Sequence, residues 1–309
     1  MTAQSNSSFQ RNLQIAWDST SLGALKTCPR YYYYTIVCGY QTKTQSHHLT
    51  FGILYHKGIE VFEHGKAAGK SYEDSVDDAL SYLLRNTWEK GRPWHSGDSN
   101  KNRETLIRSV LWYLEEFKDD SLRTIILANG KPAVELSFRF DTSYSASSGR
   151  PYILCGHLDR LASFDGDIYI PDHKTTQAGL NSYFFEKFTP DNQVSLYSLG
   201  AKITYHQPVV GVIISGAQIL VESTRFAREY IQRTESQLDE WYDELGDWLD
   251  LAERFAATGR YPMNEKSCSN YGGCPFRKVC SMPPAARQPW LENDFAKRIW
   301  DPLQIRGDI

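Results

Sequence analysis

The sequence lacks any apolar run that approaches the roughly 20 residues of a membrane-spanning helix. Its first residues, MTAQSNSSFQRN, are polar and do not contain the apolar core of a secretory signal peptide. Cysteine is scarce, with six in 309 residues, and in a chain without a secretory signal cysteines ligate metals or clusters more often than they form disulfides. These absences lead us to expect a soluble, cytoplasmic protein with no membrane partner.

A strong net charge is also missing. The formal charge is −3, so no overall basic field attracts nucleic acid, and any contact with DNA would depend on a local basic patch. The chain contains no helix-turn-helix or zinc-finger pattern, so sequence-specific DNA recognition has no support. Phosphate contacts and strand shape would dominate any binding.

What the sequence does contain is a change in hydrophobic periodicity after Gly130. Before this residue, helical spacing predicts a helix at TFGILYHKGIEVFEHG and two more near 71–89 and 101–118. After it, alternating apolar residues predict strands at AVELSFRFDTSY, RPYILCGHLDRLASF and IYIPDHK. The first half therefore begins helical and becomes a sheet.

The second half returns to helices around one more pair of strands. Thr189 is expected to cap a helix at TPDNQVSLYSLGAKI, with Pro190 in its first turn. The segments PVVGVIISG and AQILVES are expected to pair as strands. Ser223 is then expected to cap a long helix that ends at Gly259.

This order of elements predicts an α/β or α+β fold with a central mixed sheet of about five strands flanked by helices. We expect one interlocked domain with three parts. They are a helical N-terminal region at 1–130, a core sheet at 131–225, and a long helix with a cysteine-rich segment and tail at 226–309.

A hairpin in the predicted sheet brings charged residues together. Asp165-Gly166 is a tight-turn signal and lies midway between Asp159 and Asp172. Pairing across the turn would place these two carboxylates side by side, with Lys174 on the same strand face as Asp172. Carboxylates suit Mg²⁺ or Mn²⁺, and such a metal can activate water for attack on a phosphodiester. The alternative is a surface hairpin with ordinary ion pairs.

The same strand also carries an apparent conflict. Ile168 and Ile170 share the alternation of Asp172 and Lys174, so apolar and charged side chains point to one face. We therefore expect the strand to twist or kink near Pro171, with its charged end open at the edge of the sheet.

Further motifs accompany this hairpin in order along the chain. They are FGILYHKGIE with His56, AVELSF with Glu135, CGHLDRL with Asp159, IPDHKTT with Asp172 and Lys174, and QVSLY with Gln193 and Tyr197. In this order they resemble the motifs of the PD-(D/E)XK nuclease superfamily in its RecB-like branch, which includes the CRISPR-associated spacer-acquisition nuclease and many phage exonucleases. The resemblance implies a restriction-endonuclease-like core. Asp172 differs from many relatives, which use Glu at that position.

The resemblance also implies how a metal would be held. His56 would join Asp159 and Asp172 as a ligand, and its imidazole would favour Mn²⁺ over Mg²⁺. Lys174 would position the attacking water or neutralise the developing negative charge. On residue chemistry alone, without the ordered motifs, a partly buried histidine satisfied by hydrogen bonds is the favoured interpretation of His56.

The remaining motif residues would support the reaction. The resemblance implies that Glu135 is a ligand or orients the lysine or the water. Gln193 and Tyr197 lie four residues apart on one helix face and would hold Lys174, a DNA phosphate or a base. Without the motif order, Glu135 is an ordinary strand charge and the other two are an ordinary helix pair.

The C-terminal cysteines form a separate pattern. Cys268, Cys274 and Cys280 lie in CSNYGGCPFRKVC, and a fourth ligand would come from Cys28, with Cys38 as the substitute. Proteins of the RecB-like branch with one N-terminal and three C-terminal cysteines carry a [4Fe–4S] cluster, and the resemblance implies one here. The spacing is wider than the C-x₂-C often seen in that branch. A structural Zn²⁺ is the alternative, because four cysteines also suit tetrahedral zinc.

A basic and aromatic segment surrounds the first of these cysteines. KTCPRYYYY contains Lys26, Arg30 and Tyr31, and such groups can contact phosphates and stack on single-stranded bases. The alternative is that the tyrosines belong to the protein core.

The resemblance implies a metal-dependent DNA nuclease, most simply an exonuclease on single-stranded ends. Its setting would be recombination, repair or CRISPR adaptation in a bacterial or phage-infected cell, with protein partners of such a complex. One alternative is an endonuclease that trims flaps within a complex. Another is a catalytically inactive, DNA-binding scaffold of the same fold.

Overall fold

The computed structural model of the chain describes residues 9–10, 12–44, 46–89 and 91–304. Its α-helices are Ser19–Thr27 (α1), Pro29–Tyr32 (α2), His47–Ala67 (α3), Tyr72–Asn86 (α4), Arg103–Glu116 (α5), Ser182–Glu186 (α6), Asn192–Tyr205 (α7), Glu235–Thr258 (α8), Arg277–Ser281 (α9) and Pro284–Asp294 (α10). A π-helical turn, Tyr33–Val37, and a 3₁₀ segment, Glu265–Gly272, complete the helical elements. Within these described ranges, no helix is long and apolar enough to cross a membrane.

Most strands are short, and five have nine or more residues. The strands are Phe9–Gln10 (β1), Leu13–Gln14 (β2), Ala16–Trp17 (β3), Tyr40–Thr42 (β4), Trp88–Glu89 (β5), Arg92–Pro93 (β6), Arg123–Thr124 (β7), Val134–Ser145 (β8), Pro151–Arg160 (β9), Ala162–Phe164 (β10), Asp167–Thr176 (β11), Val209–Ile219 (β12), Thr224–Gln232 (β13) and Phe295–Lys297 (β14).

The chain divides into two compact units, each formed by segments that are distant in sequence. The cysteine unit comprises the described residues of Met1–Thr44, Arg139–Gly156 and Thr234–Ile305. The core unit comprises those of Gln45–Phe138 and His157–Arg233. The division into parts at 130 and 225 stays a prediction.

The core unit contains a five-stranded mixed sheet in the order β13-β12-β11-β10-β7. Strands β11 and β12 are parallel, whereas the other neighbours in this sheet are antiparallel. The predicted fold class, a mixed α/β arrangement with a central sheet of five strands and flanking helices, is confirmed.

Helix α3 packs across this sheet through the apolar residues that its spacing predicts. Phe51, Tyr55 and Ile59 are among its buried side chains, and they belong to one apolar cluster with Ala217 and Ile219 of β12. Burying such side chains stabilises the fold by roughly 1.5–3 kcal/mol each. The packing fixes the rotation of α3, and with it the direction in which its polar residues point.

The hairpin between β10 and β11 forms at the predicted turn. Phe164 pairs with Asp167, and the two residues between them have left-handed backbones, with φ of 51° at Asp165 and 90° at Gly166. Two successive left-handed residues are the requirement of a type I′ turn, which Asp-Gly satisfies well. This turn sets the register of the strand that carries Asp172.

The expected kink at Pro171 is wrong. Pro171 pairs with Ile213 in an unbroken register, and the one register shift lies earlier, between Ile168 and Tyr169. β11 is the middle strand of the sheet rather than an edge, and its residues 169–173 are all buried. A strand covered on both faces does not need to separate apolar from charged residues by alternation.

Three boundaries in the second half also differ from prediction. Helix α7 begins after Asp191, whose carboxylate accepts the backbone N–H groups of Gln193 and Val194 at 2.8 and 3.1 Å, so Thr189 is not the cap. The expected strand pair at 208–223 is a single strand, β12, whose partner is β13. Ser223 therefore precedes a strand, and the long helix α8 starts after Thr234, which forms a capping box with Gln237.

Candidate active site

The three predicted metal ligands come from three elements of the core unit. His56 lies in α3, Asp159 lies at the end of β9, and Asp172 lies in the middle of β11. The Nδ1 atom of His56 is 3.0 Å from Oδ2 of Asp159, and that same oxygen accepts the backbone N–H of His173 at 3.2 Å. The structure therefore brings the histidine and acidic motifs together, as the sequence predicts.

Lys174 lies at the centre of a second set of contacts. Its Nζ is 2.7 Å from Oδ2 of Asp172 and donates a hydrogen bond to Oε1 of Gln193 at 2.6 Å. The amide of Gln193 in turn donates to the hydroxyl of Tyr197 at 2.9 Å. One proton of the lysine ammonium thus faces β11 and a second faces α7. The third proton is left for a ligand.

The charges in this site shift one another's pKa values in opposite directions. Burial raises the pKa of Asp172, and the charge of Asp159 adds to this against the pull of Lys174. Burial acts the same way on Asp159, but the charged His56 and Lys174 hold its pKa well below the usual range. A pair of carboxylates whose environments drive their pKa values apart is typical of catalytic centres.

The two basic groups respond to those carboxylates. Burial disfavours the charged form of His56, yet the nearby Asp159 raises the pKa of its imidazole overall. Burial would likewise lower the pKa of Lys174, and the carboxylate of Asp172 raises it. Lys174 therefore stays an ammonium, which suits it to contact an anion rather than to accept a proton.

The donor set fits a divalent metal ion. Two carboxylates and one imidazole belong to this site, and oxygen with nitrogen ligands is the combination that Mn²⁺ and Mg²⁺ sites use. In the described part of the chain their ligand atoms do not all lie within 4.8 Å of one another, so the fit is one of ligand chemistry. Two buried carboxylates repel each other, so a cation between Asp159 and Asp172 would relieve an existing electrostatic cost. His56 stands where it can supply the nitrogen.

Glu135 lies beside the same residues in an unusual conformation. It lines a small cavity together with His56, Asp159 and His173. Its backbone φ is 48°, within an otherwise extended strand. A left-handed conformation at a non-glycine residue costs energy and occurs often at functional sites. The shared cavity places the acidic motif close to the histidine motif.

Three residues around the site were not among the candidates from the sequence. His173 is buried, its ring centroid is 5.8 Å from that of His56, and burial lowers its pKa well below normal. Arg160 and Glu63 form a buried ion pair next to the small cavity. In the sequence, Arg160 is marked only by following Asp159. Glu63 is marked only by following His56 by two helical turns.

A different group of potential ligands lies at the start of α3. His47, His48 and Asp98 place their ligand atoms within 4.8 Å of one another, the one such group of three among residues 9–10, 12–44, 46–89 and 91–304. The positive end of the helix disfavours a cation there, and none of the three residues belongs to the motifs found in the sequence. The site with motif residues therefore remains the better candidate for catalysis.

The four predicted cluster cysteines all lie in the cysteine unit. The backbone N–H of Asn264 donates to the sulfur of Cys28 at 3.3 Å, which connects the N-terminal cysteine to the C-terminal segment. Burial raises the pKa of Cys274, and the charges of Cys268 and Cys28 raise it further. Burial also raises the pKa of Cys280, and charges on Cys274 and Cys28 raise it further. Among the described residues, no three of these sulfurs lie within 4.8 Å of one another.

Of the other two cysteines, Cys38 packs against the same apolar cluster as Cys274 and Cys280, whereas Cys155 does not belong to it. Cys38 interacts with Tyr33, and burial raises the pKa of the Cys38 thiol. Cys155 is buried, and its sulfur lies 3.4 Å from the backbone oxygen of Trp17. Neither contact involves one of the four predicted cluster cysteines.

The predicted DNA-contacting residues near Cys28 make contacts within the cysteine unit. Lys26 lies over the ring of Trp248, with its Nζ 5.3 Å from the ring centroid. Arg30 donates to the backbone oxygen of Tyr261 at 2.8 Å, and the ring of Tyr31 meets that of Phe276 edge-on at 6.0 Å. Their role in DNA binding stays a prediction.

Comparison with known proteins gives one family match. Residues 17–281 match the family model described as the PD-(D/E)XK nuclease superfamily. No curated protein matches the chain. A solved structure described as a "putative exonuclease" from Eubacterium rectale is similar at 11% identity and TM-score 0.47, covering 87% of this chain and 92% of that one. The structure described as SSO0001 is similar at 12% identity and TM-score 0.30, covering 74% and 84%.

Proposed function

Because the chain belongs to the PD-(D/E)XK nuclease superfamily, we propose that it is a metal-dependent deoxyribonuclease that acts as an exonuclease on single-stranded DNA ends. The observation that carries the proposal is the convergence of His56, Asp159, Asp172 and Lys174 in one site of the core unit. The five-stranded mixed sheet is consistent with the restriction-endonuclease-like fold of this superfamily, whose nucleases generally use divalent metal ions.

The acidic side of the site would bind the metal. Asp159 and Asp172 would hold Mg²⁺ or Mn²⁺ with His56 as the nitrogen ligand, and Glu135 would orient the ion's water or act as a further ligand. A bound ion lowers the pKa of water and stabilises negative charge on a phosphate. His173, whose backbone N–H donates to Asp159, would hold that carboxylate in position.

The basic side of the site would bind the scissile phosphate. Asp172 and Gln193 hold the Lys174 ammonium from two directions, so the side chain is already ordered before substrate binds. An ammonium fixed beside a phosphate stabilises the charge that develops as the bond to the leaving oxygen breaks. Tyr197 would keep Gln193 in the orientation that accepts from Lys174.

The cysteine unit would carry a [4Fe–4S] cluster ligated by Cys28, Cys268, Cys274 and Cys280, as in the RecB-like branch. Their mutual influence on pKa supports a shared centre. A structural Zn²⁺ bound by the same four cysteines is the alternative centre.

The experiment that tests this function uses end-labelled linear and circular single-stranded DNA with Mn²⁺. An exonuclease degrades the linear DNA and leaves the circle intact. Asp172→Asn should abolish degradation, a loss of at least about 10³-fold, because it removes a charged metal ligand. Asp167→Asn, at the exposed end of the same strand, is the matched control and should retain wild-type activity. Cleavage of the circle, or full activity of the Asp172 variant, would contradict the proposal.

A further inference from the structure

A second cavity of about 390 Å³ lies next to the candidate active site in the core unit. Glu63 and Arg160 line both this cavity and the small one that contains His56, Asp159 and Glu135. Glu63 follows His56 by seven residues in α3, which is about 10 Å along the helix axis. The cavity is within the range of roughly 300–1,000 Å³ that small-molecule sites occupy. We call it the basic cavity.

The rim of the basic cavity is positively charged. Lys66, Lys118 and Arg123 line it, and all three are exposed. In the part of the chain that the structure describes, no carboxylate forms a salt bridge with any of them. The whole chain has a formal charge of −3, so this group is a local concentration of cations against the overall balance. Such a rim attracts an anion.

The inner wall holds two arginines, each matched by a carboxylate. Arg160 is paired with Glu63, and Arg228 with Asp120 at 2.5 Å. Arg160 is only 5% exposed, and its buried Nε has no hydrogen-bond partner among the described residues. A buried guanidinium N–H without a partner costs free energy.

The remaining wall is aromatic. Tyr72, Tyr113 and Phe117 line the cavity, and Tyr72 and Phe117 are only partly buried. Lys118 lies 4.5 Å from the centroid of the Tyr72 ring, and Arg228 lies 3.7 Å from that of Phe117. Aromatic rings beside cations are the surface on which a nucleic-acid base can stack while its phosphate meets the charges.

We propose that the basic cavity binds a nucleotide that ends in a phosphate monoester. The phosphate would meet Lys118, Arg123 and the inner Arg160, and the base would stack against Tyr72 or Phe117. The ligand is either the terminal nucleotide of a DNA strand or a released mononucleotide. This assignment rests on the proposed nuclease function, because the cavity adjoins the residues that would cut the strand. It would explain how a chain of net negative charge holds a DNA end.

Binding can be measured without cleavage, in EDTA, by calorimetric titration of the full chain with thymidine 5′-monophosphate, thymidine 3′-monophosphate, inorganic phosphate and thymidine. A nucleoside monophosphate should bind more tightly than inorganic phosphate, and thymidine should not bind. The double variant Lys118→Ala/Arg123→Ala should weaken binding by roughly tenfold or more, because it removes charge-assisted hydrogen bonds. The matched control, Arg225→Ala, removes an exposed arginine from the same strand as Arg228 and should bind normally.

Three results would overturn the assignment: no binding of either monophosphate, inorganic phosphate binding as tightly as both, or equal loss in the Arg225 variant. Competition with oligonucleotides identifies the source of the ligand. If a strand end occupies the cavity, an end-phosphorylated oligonucleotide displaces the monophosphate and its unphosphorylated form does not. If released product occupies it, neither oligonucleotide competes. Failure of the nuclease proposal is separate, because it shows as intact DNA in Mn²⁺ whatever the titration gives.

Discussion

At the residue scale, the best-defined environment in the site is that of Lys174. Its ammonium contacts a carboxylate from its own strand and an amide from α7, two elements that the chain connects only through residues 177–191. The lysine is therefore ordered by contacts that substrate does not supply. Preorganised charges of this kind stabilise a transition state without reorganising during the reaction.

The role of Gln193 as a positioning residue gives a first prediction at this scale. Gln193→Ala removes the amide that accepts from Lys174, so the lysine should lose its fixed direction. We expect kcat on linear single-stranded DNA to fall by roughly tenfold to a hundredfold with KM little changed, the size of one hydrogen bond to a charged group. Tyr197→Phe removes only the hydroxyl next to Gln193 and should have a smaller effect.

Steady-state rates on end-labelled DNA separate these two parameters. A purely structural effect would reduce the unfolding temperature of the Gln193 variant along with its rate. If instead the variant keeps wild-type kcat, Lys174 does not depend on Gln193 and the positioning role is wrong.

Sequence reasoning reached Asp159, Asp172 and Lys174 because their relation is local. A two-residue turn fixes the register, and alternation then places each side chain. Arg160, Glu63 and His173 could not be found in this way. Glu63 meets Arg160 only because α3 packs over the sheet, and that contact joins residues almost a hundred positions apart. No spacing rule within one strand or helix predicts it.

At the element scale, the position of α7 depends on one close contact with β8. A side-chain carbon added at Gly200 would come within 2.5 Å of the ring of Phe138. The same ring lies 6.3 Å, edge to face, from that of Tyr197. Glycine at this position lets α7 approach closely enough for Gln193 to reach Lys174.

This contact predicts that Gly200→Ala is destabilising. Overpacking against a rigid aromatic ring should lower the free energy of unfolding by about 1–3 kcal/mol, measured by urea denaturation. The cleavage rate should fall as well, because α7 must move away from Lys174. In the control Gly52→Ala, within α3, the nearest atom to the added carbon is 3.9 Å away. That variant should be as stable as wild type or gain up to ~1 kcal/mol from helix propensity. A Gly200 variant of normal stability would contradict the account.

The elements that sequence reasoning misplaced share a physical cause. Residues 224–232 form β13, although their spacing was interpreted as the start of a helix. Only pairing with the buried β12 selects the extended form, and such pairing is not visible within the segment itself. Asp165-Gly166, by contrast, was predicted correctly because a left-handed turn is decided by the two residues that form it.

At the scale of the whole molecule, the chain combines two units with different chemistry. The core unit holds the ion-paired site, and the cysteine unit holds the four predicted cluster cysteines. The segments of each unit alternate along the sequence, so periodicity could not reveal this division. A centre that joins Cys28 to the C-terminal segment would close a long loop and stabilise the unit that contains it.

That centre gives a prediction for the purified protein. Anaerobic preparations should be brown and contain iron in the proportion of one [4Fe–4S] cluster per chain, by visible absorbance and metal analysis. Cys28→Ala should lose the iron and unfold at a lower temperature. Cys38→Ala is the control, and its iron content should be unchanged. A colourless protein that contains zinc would contradict the cluster.

The measurement that tests the central claim most directly is the rate of nucleotide release from end-labelled linear single-stranded DNA as Mn²⁺ is titrated. Wild-type protein should be inactive in EDTA and gain activity with added Mn²⁺. Lys174→Gln, which keeps both carboxylates and His56, should stay at least about 10²-fold slower at saturating metal, since a preorganised charge is missing. Release in EDTA, or a Lys174 variant that reaches the wild-type rate, would contradict the assignment of this site as the nuclease centre.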